Sequence, residues 1–425
     1  MPKEIALENL DLAAIIREGD HIVWGSATGE PVQLIKRFLE QRHRIGHTNV
    51  FLGGISYTDT LKPEHADVVN FTGFAAMARL RGLGRAGLLR IIPCHLSALC
   101  GYFETGLLRS DVVFLKLSAP DSSGQYSFSL ENDYLQAAMA RARVVIAEVN
   151  DQLPWTHFDG QLKTARLDYI VPVSEPPIEV PSATFGTVEK QIAQHISNYI
   201  EDGSTIEIGI GAIPDAVLAD LGDRRDLGVH SGLIGDRVAD LMERGIITNE
   251  RKPIDTGITV CGTLRGTQRL YRFAHRNPAV RLFTFMHTHR PEVLSQLDNF
   301  VAINSALEVD LTGQINAEVA SGVTVGGVGG QGDFLRGANL ARRGRGIVAM
   351  PSTALDGKAS RIVARLSGVV TTARSDADIV VTEFGAAELR GQPLEERARR
   401  MIRIAHPAFR ESLERDAREI RRRGV

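Results

Sequence analysis

Glu18-Gly-Asp-His-Ile-Val-Trp-Gly25, followed by a small-residue loop and Pro31, is echoed by Asp202-Gly-Ser-Thr-Ile-Glu-Ile-Gly209, followed by a small-residue loop and Pro214. In each stretch an acidic residue and Gly make a turn, a short strand ends on Gly, and an apolar helical run begins near the Pro. The pattern predicts a β-loop-α unit used twice. Asn49-Val-Phe-Leu-Gly-Gly-Ile55 stands where the first copy needs its next strand, and Leu227-Gly-Val-His-Ser-Gly-Leu233 does so in the second.

Further strands are expected at Asp111-Val-Val-Phe-Leu-Lys-Leu117, Val144-Val-Ile-Ala-Glu-Val149, Ile347-Val-Ala-Met350 and Ile379-Val-Val-Thr382. These are mostly continuous apolar runs, the signature of parallel strands buried on both faces. Helical spacing occupies 188–200 and 394–405, and the mixed-charge tail 409–425 reads as a solvated terminal helix. Four prolines within 171–181 cannot continue a helix or a central strand, so the domain boundary is placed there. The expectation is an α/β protein of two tandem, related open-sheet domains, 1–180 and 181–425.

The chain has 425 residues, 43% of them hydrophobic and 24% charged, which suits globular domains and excludes disorder as its main state. Lys+Arg 49 against Asp+Glu 51 leaves no global field to attract nucleic acid or an anionic membrane. Acidic residues interrupt the N-terminal apolar run, unlike a secretory leader, and no window is apolar for long enough to span a bilayer. Cys94, Cys100 and Cys261 are too few and too widely spaced for a disulfide framework or a paired zinc site, which suggests the cytoplasm.

Two glycine-bearing stretches carry chemistry. In Gly209-Ile210-Gly211-Ala212-Ile213 a strand runs into glycines and then a helix, so that backbone N–H groups and the positive end of the helix can meet a phosphate or carboxylate. The third glycine of a dinucleotide fingerprint is missing, which disfavours a nicotinamide cofactor. A tight turn without a ligand remains open on these residues alone. In the glycine-dense stretch from Ser321 to Phe334, Gly329 and Gly330 precede Gln331 and Asp333. This could place N–H groups, an amide and a carboxylate near a bound acyl group, or it is a flexible surface loop.

Gly209-Ile-Gly-Ala-Ile-Pro-Asp-Ala-Val217, Ala302-Ile-Asn-Ser-Ala-Leu-Glu-Val-Asp-Leu-Thr-Gly313, Gly329-Gly-Gln-Gly-Asp-Phe-Leu-Arg-Gly-Ala338, Val381-Thr-Glu-Phe-Gly385 and Ile404-Ala-His-Pro407 resemble the acetyl-CoA hydrolase/transferase family. That family includes 4-hydroxybutyrate CoA-transferases and lies within the class I CoA-transferase fold group. The resemblance continues through Pro120-Asp121 and Val144-Val-Ile-Ala-Glu-Val-Asn-Asp151. It implies coenzyme A or acyl-CoA as a substrate, with no metal and no redox cofactor. It also implies a homodimer or higher homo-oligomer, with an acceptor left unknown; the charge balance and hydropathy above give neither nucleic acid nor membrane as a partner. Residues 209–213 would take the CoA phosphate or pantetheine arm, Gly329 and Gly330 with Gln331 the thioester end, and Asn304 and Glu308 the acyl pocket.

One departure stands out. Where the family's transferases carry a nucleophilic glutamate in a His-Ser/Thr-Glu string, this chain reads His230-Ser231-Gly232. Three readings follow. The favoured one is direct acyl transfer to water or another nucleophile, with the lost side chain leaving room for that nucleophile. The second is a CoA-transferase recruiting another carboxylate, Asp236 or Glu30. The third is a non-catalytic acyl-CoA-binding protein. His230 would share a strand face with position 232 and act as a base, or it is structural. Ser231 lacks a nucleophile elbow. His287 and His289 alternate on an expected strand and read as surface or satisfied histidines. Glu308 and Asp310 either line the acyl pocket or hold the loop after it.

Overall fold

The computed structural model of the chain describes residues 2–162 and 164–422. Two compact units form, Met1–Pro181 with Val260–Thr288, and Ser182–Thr259 with His289–Val425. The division expected at 180/181 assigns 260–288 to the second half, whereas its contacts place that segment in the first unit.

In the first unit, apolar runs such as Val112–Ser118, buried at every position, need a sheet covered on both faces, and a parallel sheet provides it. Eight strands lie side by side in the order Lys3–Glu4, Tyr169–Val173, Val144–Asn150, Val112–Ser118, His21–Trp24, Thr48–Phe51, Val69–Gly73 and Leu89–Ile91, every neighbouring pair parallel. Pro172 lies inside Tyr169–Val173, although a proline there was expected to stop a strand. The covering strand pairs only with Tyr169 and Ile170, so Pro172 owes no ladder bond on that side.

The second unit repeats the plan. Its sheet runs Gly228–Val229, Thr205–Ile208, Phe300–Ser305, Arg345–Ala349 and Ile379–Thr382 in parallel, closed by the antiparallel Gly385–Glu388. His21–Trp24 pairs with the next strand on one side and with Val112–Ser118 on the other, as Thr205–Ile208 pairs with Gly228–Val229 and Phe300–Ser305. The two copies of the quoted pattern are therefore equivalent strands of equivalent sheets. The helices expected at 188–200, 394–405 and 409–425 are Thr187–Ser197, Leu394–Ile404 and Pro407–Arg422. Residues 423–425 of the last lie outside the described residues.

Packing in the first unit centres on Trp24, Phe38 and Phe114, all fully buried, with ring centroids 6.0 to 6.3 Å apart. The helix Val32–Ile45 turns Leu34, Ile35, Phe38 and Leu39 into this core. Its N-terminus is closed by the chain itself, since Glu148 Oε2 accepts from Gln33 N at 2.8 Å and Leu34 N at 3.2 Å. The loop before it is filled as well. Ser26 Oγ donates to Glu131 Oε1 at 2.7 Å, and a Cβ built on Gly25 would stand 2.6 Å from Glu131 Oε2. Burial, together with the neighbouring Asp133 carboxyl, pushes the Glu131 carboxyl well above the usual carboxylate range.

The three cysteines are buried and form no disulfide. Among the described residues, no helix is long and apolar enough to cross a membrane.

A Cβ on Gly29 would overlap the buried Glu131 side chain. Gly29→Ala is therefore expected to destabilise the protein by about 2 kcal/mol or more, read as a lowered urea midpoint at unchanged slope. An unshifted midpoint would mean that this loop has slack.

Candidate active site

In the second unit, functional candidates gather on loops leaving the carboxyl ends of the parallel strands, where open α/β sheets bind ligands. Thr205–Ile208 ends at Gly209, Gly211 has φ 129°, and the helix Ala212–Asp220 starts at once. A Cβ on Gly209 or Gly211 would meet nothing within 4 Å, so open space faces this loop. Ile213 is buried and anchors the first turn of the helix, next to Ala212.

The glycine-dense stretch is mostly ordered architecture. Ser321 and Gly322, with φ 51° and 75°, turn a hairpin between Val319–Ala320 and Val323–Thr324. Gly329 has φ 59°, and Gly330 caps the helix Gln331–Leu340. Gln331 was expected to reach a bound acyl group. Instead its Nε2 donates to Ser305 O at 2.7 Å and its Oε1 accepts from the Thr372 hydroxyl at 3.0 Å. The amide ties the helix start to the end of Phe300–Ser305.

Strand pairing reaches His230 but the chain bends at Gly232, so the shared strand face expected for His230 and position 232 does not form. His230 is fully buried, its N–H donates to Ile206 O at 3.1 Å, and its Nδ1 lies 4.0 Å from Asp255 Oδ2. Ser231 Oγ donates to Ile208 O at 3.1 Å and accepts from Ile208 N at 3.4 Å, which pins it to the neighbouring strand end.

Gly232 is where sequence reasoning missed a partner. A Cβ there would stand 2.9 Å from His289 Cε1 and 3.1 Å from His289 Nε2, so the direction of the missing side chain is filled by an imidazole rather than left as room. A Cβ on Gly330 would come within 2.5 Å of Cδ2 and Nε2 of the same ring. Phe334 covers it, with centroids 4.4 Å apart. The expected strand through His287 and His289 is absent: Phe285–Thr288 is one helical turn, and His287 of the first unit stacks on Phe283 at 4.3 Å. His289 is 2% exposed, and burial pushes its pKa down to about 3, so the ring is neutral at physiological pH.

Glu207 was also missed. It is the one charged side chain of Thr205–Ile208, and it is buried with Oε2 accepting from Asn304 Nδ2 at 2.7 Å and Ile303 N at 3.2 Å. Burial pushes its carboxyl up to about 8. A lone acid between two isoleucines of a buried strand was the available signal. One N–H of the Asn304 amide is thereby taken up by Glu207. Glu308 accepts from Asn316 Nδ2 and from the Ser367 hydroxyl and N–H, and Asp310 accepts from Thr312 and Gln314, so both hold loops. Asp236 opens the helix Asp236–Glu243. Glu30, in the first unit, is buried beside the Thr58 hydroxyl, and burial raises its carboxyl to about 7.

Residues 4–181 match the acetyl-CoA hydrolase/transferase N-terminal domain, and residues 266–417 the C-terminal domain. This chain belongs to the acetyl-CoA hydrolase/transferase family. Within it, the chain is 39% identical over 401 residues to a 4-hydroxybutyrate coenzyme A transferase of Clostridium kluyveri, covering 94% of each. An acetyl-CoA hydrolase of Yarrowia lipolytica is 31% identical over 216 residues, 49% of this chain and 39% of that protein. Among solved structures, RipA from Yersinia pestis superposes with a TM-score of 0.92 at 32% identity, covering 99% of this chain and 98% of that one. A 4-hydroxybutyrate CoA-transferase from Porphyromonas gingivalis does so with 0.82 at 33%, again covering 99% and 98%. The family thus holds both transferases and hydrolases of acyl-CoA, on the tandem α/β fold described above.

The buried acid predicts a pH effect. A carboxyl held neutral by the fold stabilises it fully below the ordinary value near 4.5, and that stability is lost as pH rises through about 8. In urea unfolding between pH 5 and 8, Glu207 is expected to add a downward slope of up to about 1.4 kcal/mol per pH unit. Glu207→Gln should flatten the slope by that amount. An identical slope in the variant would show that Glu207 is ionised in the folded protein.

Proposed function

We propose that the chain transfers the acyl group of a CoA thioester directly to water or another small nucleophile, on the carboxyl-end loops of the second unit. The observation that carries this reading is the contrast between the two copies of one motif. In the first unit the glycine loop and the helix N-terminus behind it are occupied by Glu131 and Glu148. In the second, the loop at Gly209 and Gly211 faces open space before a helix N-terminus. Unpaired N–H groups and a partial positive charge there suit an anionic portion of CoA.

The Gly329-Gly330 turn, at the start of a ten-residue helix, is assigned the thioester end, where backbone N–H groups would stabilise the developing oxyanion. The acceptor oxygen bonds to the thioester carbonyl carbon, the C–S bond breaks, and the proton lost by the acceptor ends on the departing sulfur, so that CoA leaves as thiol. Gly232 has no side-chain atom to intercept the acyl group, which supports transfer without a glutamyl-CoA intermediate. His230, Gln331, Asn304 and Glu308 act as positioning residues in this reading, and the step as written draws on no metal or redox group. A homo-oligomer, on the strength of family membership, and the cytoplasm, on the few and widely spaced cysteines, complete the proposal.

A second reading, carboxylate CoA-transferase, is favoured by the names of the relatives and would need a carboxylate such as Asp236 or Glu30 as carrier. Short acyl-CoAs incubated with and without acetate separate the two. Thiol release independent of the acid is expected. CoA exchange between two acids, with a borohydride-sensitive protein thioester, would replace the first reading by the second. Micromolar binding without turnover would replace both with a binding protein. Gly209→Ala is expected to leave the urea midpoint nearly unchanged and to raise KM about tenfold, on the order of 1.4 kcal/mol. An unaltered KM would remove Gly209 from the CoA site.

A further inference from the structure

We propose that His289 is a specificity-determining residue: its ring fills the space that a side chain at position 232 requires, so that Gly232 and His289 together hold the site to direct acyl transfer. The inference rests on the function proposed above and names the residue that closes the alternative, covalent route.

The geometry points one way from both sides. A carbon placed 2.9 Å from Cε1 and 3.1 Å from Nε2 lies well inside the 3.5 to 4.0 Å at which non-bonded carbon atoms rest. A longer side chain on the same bond begins with the same clash. The ring is hemmed in where it lies, because the bare backbone of Gly330 sits against its Cδ2–Nε2 edge, so closely that a Cβ there would be 2.5 Å away, and Phe334 lies across it. Phe334 is itself 3% exposed and belongs to a core cluster with Leu294, Leu297, Phe300 and Ala338. Gly232, His289 and Gly330 are distant in sequence but form one packed unit in which each glycine is the residue the ring permits.

It follows that losing a carboxylate at position 232 is half of a two-part change. Restoring the carboxylate alone would not restore a carrier. With the ring also removed, an introduced carboxylate oxygen could attack the thioester carbonyl carbon, expelling CoA thiolate and leaving a mixed anhydride. The thiolate would then add to the introduced carboxyl carbon, releasing the first acid and leaving a protein thioester. An acceptor carboxylate would run both steps in reverse and depart as the new acyl-CoA.

The test uses the full chain as wild type, Gly232→Ala, Gly232→Glu, His289→Ala and the two double variants. Thermal melting reads the packing without any ligand. Gly232→Ala is expected to lower the melting temperature in the wild-type background and to lower it by less than half as much beside His289→Ala. Equal shifts in both backgrounds would overturn the proposal.

Exchange of labelled acetate with acetyl-CoA reads the reaction. The Gly232→Glu/His289→Ala pair is expected to exceed Gly232→Glu by at least tenfold, about 1.4 kcal/mol in the barrier. Equal exchange in the two, or none in the pair while it binds acetyl-CoA and stays folded, would overturn it. Failure of the function reading looks different: wild type would itself exchange CoA between two acids, or bind acyl-CoA without cleaving it, and the claim on reaction choice would fall with it. The melting series would still decide the packing of the ring.

Discussion

A parallel strand buried on both faces can send its chain into solvent only at its ends, and in the second unit the loops at Gly209 and Ser231 leave from the carboxyl ends of such strands, while Gln331 is tied by its side chain to the end of a third. Gly209, Ser231 and Gln331 are brought together by that constraint. Ser231 is hydrogen-bonded to the end of Thr205–Ile208, and Gln331 to the end of Phe300–Ser305. These polar residues hold loop backbone against strand backbone. The Ser231 hydroxyl and the Gln331 amide are each satisfied by these local bonds.

Duplication explains the division of labour between the units. The same β-loop-α unit closes over Glu131 and Glu148 in one copy and stays open in the other. A carboxylate at a helix N-terminus is a favourable internal partner, and a helix end so occupied has little left to offer an external anion. In the first copy the motif is filled by side chains of its own unit, and in the second its glycines face open space.

Much of this was legible in the residues. Strand periodicity located Val144–Asn150 and Ile379–Thr382 to within a residue or two, because continuous β-branched runs have few alternatives to a buried sheet. Local reasoning failed where a long-range partner decides. Pro172 is tolerated because its covering strand stops early, and residues 285–288 wind into a helical turn despite an alternating pattern. The Gln331 amide looked available until Ser305 and Thr372 were found on it.

The amino-acid sequence by itself determined the repeated unit, the α/β class, the family and the glycine loops, since these follow from short-range pattern and from strings long enough to be specific. Only the tertiary structure decided that the missing side chain at position 232 leaves no vacancy. No local rule links Gly232, His289 and Gly330, which stand far apart along the chain. Close packing in three dimensions brings one neutral ring against two bare backbones.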